Sequence, residues 1–382
     1  MPISLTSKLP DVGLTIFSAM SQLAGEHDAV NLSQGFPDFE VSPALIDRVI
    51  LYMRQGCNQY APMTGAASLR KAIAAKTAEL YGAVYDPESE VTVTSGATEA
   101  VFAAITAVVR PGDEVIIVEP AYDAYEPAVR LSGGRPVFVS MTFPGYRLDW
   151  DRVRESVSDR TRLLIFNSPH NPTGSVLTAE DIAQLRQLVT GTDLLILSDE
   201  VYEHILFDGR RHESLARDSE LRRRSFVVSS FGKTYHATGW KIGYCLAPAS
   251  LSSELRKVHQ YLTFASNTPI QMALADYMKD TTDHLELSDF YQKKRDLFLT
   301  LIRPSRLRAL TCEGTYFQMV DYAAITDEPD TDFARRMTIE HGVAAIPPSV
   351  FYHGGDDHRV LRFCFAKNDA TLKEAADKLC RI

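Results

Sequence analysis

Short, almost uninterrupted apolar runs recur through the middle of the chain, and stretches with helical periodicity separate them. The runs cover residues 90–94, 114–118, 136–139, 162–166, 194–197, 226–228 and 242–246. Continuous apolar runs of this length are typical of strands that are buried on both faces of a parallel sheet. Helical stretches such as 98–109 and 179–189 provide the crossover connections that parallel strands need. The pattern predicts an α/β fold with a mainly parallel seven-stranded sheet between helices.

Helices and short strands are mixed in the last third of the chain. The helical stretches cover residues 270–279, 290–302 and 370–381. The strand candidates cover residues 316–320, 343–347 and 360–365. This mixture predicts a separate and smaller α+β region.

The length of the chain, 382 residues, exceeds the usual size of a single hydrophobic core, so two packed regions are expected. We predict a large domain over residues 36–265, which contains the sheet, and a small C-terminal domain over residues 266–382. Residues 1–35 contribute no strand to the sheet. We expect this N-terminal segment to pack against the small domain.

Composition and charge exclude several classes of protein. With 45% hydrophobic and 23% charged residues the chain can bury a large core, and its net charge of −9 argues against a nucleic-acid partner. The N-terminus has no signal-peptide pattern, and no apolar run approaches the roughly 20 residues that span a bilayer. The five cysteines form no CxxC pair, which indicates free thiols and neither disulfides nor a metal site. We therefore expect a cytoplasmic protein without a membrane partner.

A lysine follows one of the predicted strands, at the end where open α/β sheets bind ligands. Lys233 lies in the segment Ser229–Tyr235, directly after the apolar run 226–228. Burial and a nearby cation, such as Lys241, lower the pKa of an amine enough to make it a nucleophile toward a carbonyl. Taken alone, Lys233 is more simply explained as a solvated lysine at a strand end.

Two turns also follow predicted strands. The run 90–94 leads through Ser95–Ala97 into a helix, and the N–H groups and dipole of a helix N-terminus favour a phosphate group. A helix cap explains Ser95 or Thr98 equally well. Asn171 lies in a loop that two prolines and a glycine make rigid, which either aims its amide at a ligand or only fixes a turn.

Charged residues at two other strands have specific chemical uses. Asp199 follows the apolar run 194–197, where a carboxylate is costly unless it is paired, and a pyridinium N–H is a suitable partner. Tyr202 could add a phenol to the same site, although a helix cap and a packed ring also explain these two residues. Arg362 lies among alternating apolar residues and offers a bidentate fork to a carboxylate or to a structural ion pair.

These groups together describe the chemistry of pyridoxal phosphate on an amino acid: an amine nucleophile, a phosphate cradle, a carboxylate for a pyridine nitrogen and an arginine for a substrate carboxylate. Over nearly its whole length the chain resembles the class I/II aminotransferases, which have the type I fold of pyridoxal-phosphate (PLP) transferases. The resemblance rests on the segments Asn31–Pro37, Asn58–Tyr60, Pro169–Pro172, Asp199–Tyr202, Ser230–Lys233 and Arg362–Phe363. Within the class it is most similar to the kynurenine/glutamine transaminase K branch. Through Tyr60–Gly65 and His259–Phe264 it is most similar of all to bacterial methionine aminotransferases.

The resemblance implies catalytic roles around pyridoxal 5'-phosphate. It makes Lys233 the Schiff-base lysine, which also moves the proton between substrate and cofactor. It makes Asp199 the partner of the pyridine nitrogen, while Tyr202 and Asn171 bind the phenolic oxygen. Tyr122 would stack on the ring.

The resemblance also implies a phosphate site. Its members would be Gly96, Ala97, Thr98, Ser230 and Lys241. Many family members have arginine in place of Lys241; lysine keeps the charge, loses the bidentate fork, and also occurs in the kynurenine branch. Tyr60 would reach the phosphate of a neighbouring subunit, which implies a homodimer with sites at the interface.

For substrates, the resemblance implies that Arg362 binds the α-carboxylate with Asn171 and the backbone of Gly35. The side-chain pocket would be formed by Phe17, Tyr60, Phe264 and Phe351. Apolar and aromatic walls favour neutral amino acids, with methionine preferred and aromatic or branched ones also accepted, and a 2-oxo acid would be the acceptor.

Two other activities are compatible with parts of this pattern. A cysteine-S-conjugate β-lyase would use the same Lys233 and Asp199. A ligand-sensing regulator would carry an added DNA-binding segment, and this sequence has no basic N-terminal extension.

Overall fold

The computed structural model describes residues 5–280 and 282–382, so the first four residues of the expected N-terminal segment lie outside it. The α-helices are α1 (Ile16–Glu26), α2 (Pro43–Arg54), α3 (Ala67–Tyr81), α4 (Ala97–Val108), α5 (Tyr125–Leu131), α6 (Trp150–Glu155), α7 (Ala179–Val189), α8 (Ser219–Arg222), α9 (Phe231–Thr234), α10 (Ala249–Leu262), α11 (Thr268–Asp280), α12 (Asp283–Ile302), α13 (Asp330–His341) and α14 (Asp369–Leu379). The strands are β1 (Val30–Asn31), β2 (Val91–Thr94), β3 (Glu114–Glu119), β4 (Arg135–Ser140), β5 (Thr161–Asn167), β6 (Leu195–Asp199), β7 (Ser225–Ser230), β8 (Gly243–Leu246), β9 (Arg308–Ala309), β10 (Phe317–Asp321), β11 (Val343–Ala344) and β12 (Val360–Cys364). Short 3-10 turns cover Leu215–Arg217, Thr238–Trp240 and Pro348–Phe351.

The central sheet has seven strands in the order β2-β8-β7-β6-β5-β3-β4. Only β8 runs antiparallel to its neighbours in this sheet, and the other contacts between strands are parallel. The seven apolar runs correspond to β2–β8, and helices cover both faces of the sheet. The predicted α/β class with a mainly parallel seven-stranded sheet is therefore confirmed.

The smaller region contains the three-stranded sheet β12-β10-β9 and the N-terminal segment. β1 pairs in parallel with β11, and Met20, Leu23 and Leu32 share one buried core with the C-terminal helices. In contrast, α11 packs on α2 and α3, and its apolar residues join the core of the large region. We therefore propose that the boundary between the large and the small domain lies between α11 and α12, and not at the expected position between residues 265 and 266.

None of the helices in the described ranges is long and apolar enough to cross a membrane.

A buried ion pair joins α3 to the turn after β6. The Lys76 Nζ lies 2.7 Å from the Glu203 Oε1 and donates to the Tyr244 hydroxyl at 2.7 Å. Tyr81 and Ser229 donate to the same carboxylate. Burial alone would raise the pKa of Glu203, but the charge of Lys76, the neighbouring His204 and the hydrogen bonds from Lys76 and Ser229 together outweigh burial and hold this pKa well below its usual range. The network fixes the segment that carries Tyr202 against strand β7.

We expect Lys76→Met to lower the midpoint of thermal unfolding by about 5–10 °C, because Glu203 would be left as an unpaired buried charge. The matched control is Lys257→Met, which removes an exposed pair with Glu254 (2.5 Å) and should shift the midpoint by no more than about 2 °C. Equal shifts in the two variants, measured by circular dichroism, would contradict the structural role of the network.

Candidate active site

A cavity of about 230 Å³ lies at the carboxyl ends of the central strands. Of the sixteen residues that the sequence predicts for the site, thirteen line this cavity. They are Phe17, Gly35, Gly96, Ala97, Thr98, Tyr122, Asn171, Asp199, Tyr202, Ser230, Lys233, Lys241 and Arg362. The cavity therefore brings together residues from nine separate segments of the chain, and those that follow strands of the central sheet meet at its carboxyl edge, where open α/β sheets bind ligands.

Lys233 lies in the short helix α9, directly after β7, with its side chain partly buried in the cavity wall. Its Nζ donates to the Tyr316 hydroxyl at 2.8 Å and to the carbonyl oxygen of Gly35 at 3.1 Å. Burial lowers the pKa of the amine to about 8. A sizeable fraction of the amine is thus neutral, and nucleophilic, near physiological pH.

Asp199 is the last residue of β6 and is buried. Its carboxylate accepts from the Tyr125 hydroxyl at 2.7 Å and from the backbone N–H of Val201 at 3.3 Å. No lysine or arginine in the described residues forms an ion pair with it. Burial raises its pKa to about 6. A cationic N–H on the cavity side would therefore be a favourable partner for this carboxylate.

Arg362 is fully buried in β12 and has no carboxylate partner within the described part of the chain. Its Nη1 donates to the Asn171 side chain at 2.7 Å and its Nη2 to the Ser33 carbonyl at 2.9 Å. The guanidinium lies 3.9 Å from the centre of the Phe317 ring, and its Nε has no hydrogen-bond partner. Arg362 therefore does not form the structural ion pair that was its alternative role, as far as the described residues show. A buried cation with an unused donor is suited to binding an anion.

The turn into α4 and the strand ends beside it form a cradle. Gly243, at the start of β8, pairs with both Thr94 and Ser230, which places the ends of β2 and β7 on either side of it. A Cβ at Gly243 would lie 2.8 Å from the backbone nitrogen of Ala97, so only glycine allows this approach. The backbone N–H groups at the start of α4, the hydroxyls beside them and a lysine therefore meet in one wall of the cavity.

Gly96 is a second position in the cradle that requires glycine. Its φ is +79°, in the left-handed region, and a Cβ there would meet the Lys241 Nζ at 3.3 Å. The lysine amine thus lies directly over the first turn of α4. This arrangement of free N–H groups and one cation is suited to a phosphate.

Three predicted residues do not line the cavity of this chain. Tyr60 and Phe264 form an edge-to-face pair, 5.4 Å between ring centres, and are 84% and 46% exposed. Phe351 is buried behind Phe17, 5.8 Å between ring centres, and lies 5.8 Å from the Arg362 guanidinium. Their roles in a side-chain pocket stay predictions.

Sequence reasoning missed three aromatic residues at the site. Tyr316 contacts the Lys233 amine, Tyr125 holds Asp199, and Phe317 supports Arg362. Tyr316 and Phe317 belong to a segment that the pattern assigned only to a strand. Tyr125 lies close to Tyr122 in the sequence but had no signal of its own.

The residues of the cavity fit the predicted pyridoxal 5'-phosphate. The cradle of Gly96 and Lys241 suits the phosphate, and the unpaired Asp199 suits a protonated pyridine nitrogen. The Lys233 amine faces the same cavity, and Arg362 remains free for a substrate carboxylate.

Comparison with known proteins shows which family the chain resembles. The family model described as "Aminotransferase class I and II" matches residues 27–379. A methionine aminotransferase of Escherichia coli is 52% identical over 99% of this chain and 98% of its own. A probable N-succinyldiaminopimelate aminotransferase of Mycobacterium tuberculosis is 39% identical over 98% of this chain and 97% of its own.

The predicted similarity to the kynurenine branch is confirmed by a kynurenine–oxoglutarate transaminase of Dictyostelium discoideum, 34% identical over 97% of this chain and 94% of its own. A solved Escherichia coli structure, reported with a methionine aminotransferase function, superposes with a TM-score of 0.98 at 52% identity and covers 100% of both chains. This match confirms the predicted type I fold of PLP transferases. The chain therefore belongs to the aminotransferase class I and II family.

Proposed function

We propose that this aminotransferase acts on neutral L-amino acids, with methionine as the preferred amino donor and a 2-oxo acid as the acceptor. The observation that carries this proposal is the number of cations in the cavity wall. Among the described lining residues these are Lys233, Lys241 and Arg362. Two of the three are assigned to the cofactor, which leaves one for a substrate carboxylate. The 52% identity to a methionine aminotransferase supports methionine over other neutral amino acids.

Class I and II aminotransferases use pyridoxal 5'-phosphate, which withdraws electrons from the bonds at the substrate Cα. In this chain, the backbone of Gly96 and Ala97, the hydroxyls of Thr98 and Ser230 and the amine of Lys241 would hold the phosphate. Each of them lines the cavity.

Other residues would orient and tune the cofactor ring. Asp199 would hold the pyridine nitrogen in its protonated form, because this buried carboxylate has no other cation to pair with. Tyr202 and Asn171 would donate to the phenolic oxygen, and Tyr122 would lie against the ring. These four side chains line the cavity.

Arg362 would bind the α-carboxylate of the substrate through its guanidinium. Its hydrogen bond to Asn171 links the carboxylate site to the cofactor site. Phe17 lines the cavity 5.2 Å from the guanidinium and would cover the substrate side chain with apolar surface, and Phe351 would support the Phe17 ring from behind. Thioethers make favourable contacts with aromatic rings, which supports methionine as a substrate.

Lys233 would accept the proton from the substrate Cα and deliver it to the cofactor. A pKa of about 8 suits both directions of this transfer near neutral pH. A β-lyase would use the same lysine and the same Asp199, and no separate observation favours that reaction.

The enzyme would act as a homodimer in the cytoplasm. Tyr60 and Phe264 form part of an exposed apolar surface with Tyr261 and Leu262, which a second copy would cover. Tyr60 would then reach the phosphate of the partner's cofactor. The five free cysteines are consistent with a reducing compartment.

We expect Lys233→Ala to abolish the visible absorption of the reconstituted protein and its borohydride-reducible link to the cofactor. Transamination should fall by at least about a thousandfold, because the proton carrier is lost. Lys279→Ala, at an exposed lysine paired with Asp276 at 3.5 Å, is the control and should keep both properties. A reducible link retained in Lys233→Ala would show that another lysine is the nucleophile.

A panel of amino acids tests the substrate class through bleaching of the visible band in the half-reaction. We expect methionine to exceed aspartate in kcat/KM by at least about a hundredfold, because a second carboxylate would be left without a cation. Asparagine has nearly the same shape as aspartate without its charge, and it should react faster. If aspartate is the better substrate of that pair, the single-cation explanation is wrong.

Light scattering should give a mass twice the 42.5 kDa of one chain. Tyr60→Phe should then weaken cofactor binding about tenfold by removing one hydrogen bond to the phosphate. The control is Tyr261→Phe at a neighbouring tyrosine that is 86% exposed, and its affinity should not change. A monomer that binds the cofactor with full affinity would exclude the shared site.

A further inference from the structure

Tyr316 is fully buried beneath the Lys233 amine, between the two regions of the molecule. Its ring packs edge-to-face against Tyr202, with 5.2 Å between ring centres, and lies 5.5 Å from the ring of Tyr291. Its hydroxyl donates to the Gly35 carbonyl at 2.6 Å and accepts from the Lys233 Nζ at 2.8 Å.

The direction of each hydrogen bond follows from the number of hydrogens available. A phenol has one hydrogen, and Tyr316 gives it to the carbonyl of Gly35. The lysine must therefore donate to the phenol oxygen. The Gly35 carbonyl has two lone pairs, so it also accepts the second N–H of Lys233 at 3.1 Å.

These two acceptors determine which way a neutral Lys233 amine faces. A neutral amine has two N–H bonds and one lone pair. With both N–H groups directed to Tyr316 and Gly35, the lone pair points away from these two acceptors, and the Lys233 side chain lines the cavity. The lone pair is the part of the amine that attacks a carbonyl carbon or accepts a proton.

We propose that Tyr316 is a positioning residue that directs the free amine of Lys233 into the cavity. It acts while the lysine carries no covalent partner, when the amine has to accept a proton or capture a carbonyl. This inference deepens the proposed function and rests on it, because it concerns the same lysine and the same reaction.

The hydroxyl of Tyr316, and not its ring, makes the contacts on which the proposal depends. Tyr291 provides the matched control, because it is also fully buried, adjoins Tyr316 and has a hydroxyl without a hydrogen-bond partner. Tyr316→Phe and Tyr291→Phe each delete one oxygen atom and keep the ring, so both variants are expected to fold. Comparing them separates loss of the Tyr316 contacts from loss of a buried hydroxyl in general.

The experiment uses the full-length protein freed of cofactor, with pyridoxal, the aldehyde without its phosphate, as the probe. The amine lone pair forms a C=N bond with the aldehyde carbon, the carbonyl oxygen leaves as water, and borohydride reduces the product. Mass spectrometry then gives the rate of labelling at Lys233 from pH 6 to 10. Titratable groups near the amine are unchanged in both variants; they are Asp199, Tyr202, Lys241, Arg362 and Cys364.

At high pH the Lys233 amine is neutral in the wild type and in both variants, so the plateau of the labelling rate depends on how the amine is oriented. We expect this plateau to be about tenfold lower in Tyr316→Phe and unchanged in Tyr291→Phe. The midpoint of the profile should also move below the wild-type value near 8, since an acceptor that stabilises the ammonium is lost. With methionine and cofactor, kcat should fall while KM stays within about twofold.

Equal plateaus in wild type and Tyr316→Phe would overturn the proposal, and so would equal losses in the two variants. A wild-type protein in which Lys233 is not labelled at all would instead refute the proposed function. The two failures are therefore distinguishable.

Discussion

Arg362 is a buried cation without a carboxylate partner among the described residues, and the rest of the site depends on how the free-energy cost of burying this charge is offset. Its guanidinium is stabilised by Asn171, by the Ser33 carbonyl and by the ring of Phe317. These partners come from the large region, the N-terminal segment and the small region. All three segments have to converge for the charge to be tolerated, so the surroundings of Arg362 form only in the assembled molecule.

The distribution of charge in the cavity follows the same principle. Asp199 is buried without a cation and Arg362 without an anion, and each is held by neutral hydrogen-bond partners. The two residues do not pair with each other. Burial in each case destabilises the charged form, raising the pKa of the acid to about 6 and lowering that of the arginine to about 10. Among the described residues, the folded chain thus holds two buried charged groups without an ion-pair partner, as the proposed contacts to a pyridine nitrogen and to a substrate carboxylate require.

Much of this arrangement could be predicted because it depends on local patterns. Apolar runs identified the sheet. Because open α/β sheets bind ligands at the carboxyl ends of their strands, Lys233 and Asp199 could be placed at one edge of it. The missed contacts are long-range: Tyr316 and Gly35 are separated by 281 positions and Tyr125 and Asp199 by 74. The amphipathic pattern of α11 likewise showed that it has a buried face, but not which core would receive it.

Gly35 connects the two ends of the substrate site. Its carbonyl receives hydrogen bonds from Lys233 and Tyr316, and the absence of a side chain leaves room for Phe317, whose ring would lie 2.8 Å from a Cβ at this position. That ring in turn supports Arg362. The peptide unit of Gly35 thus contacts both the Lys233 amine and the ring that supports the Arg362 guanidinium. A side chain at position 35 would therefore disturb two contacts at once, because it would displace the ring that supports the guanidinium and the carbonyl that accepts from the amine.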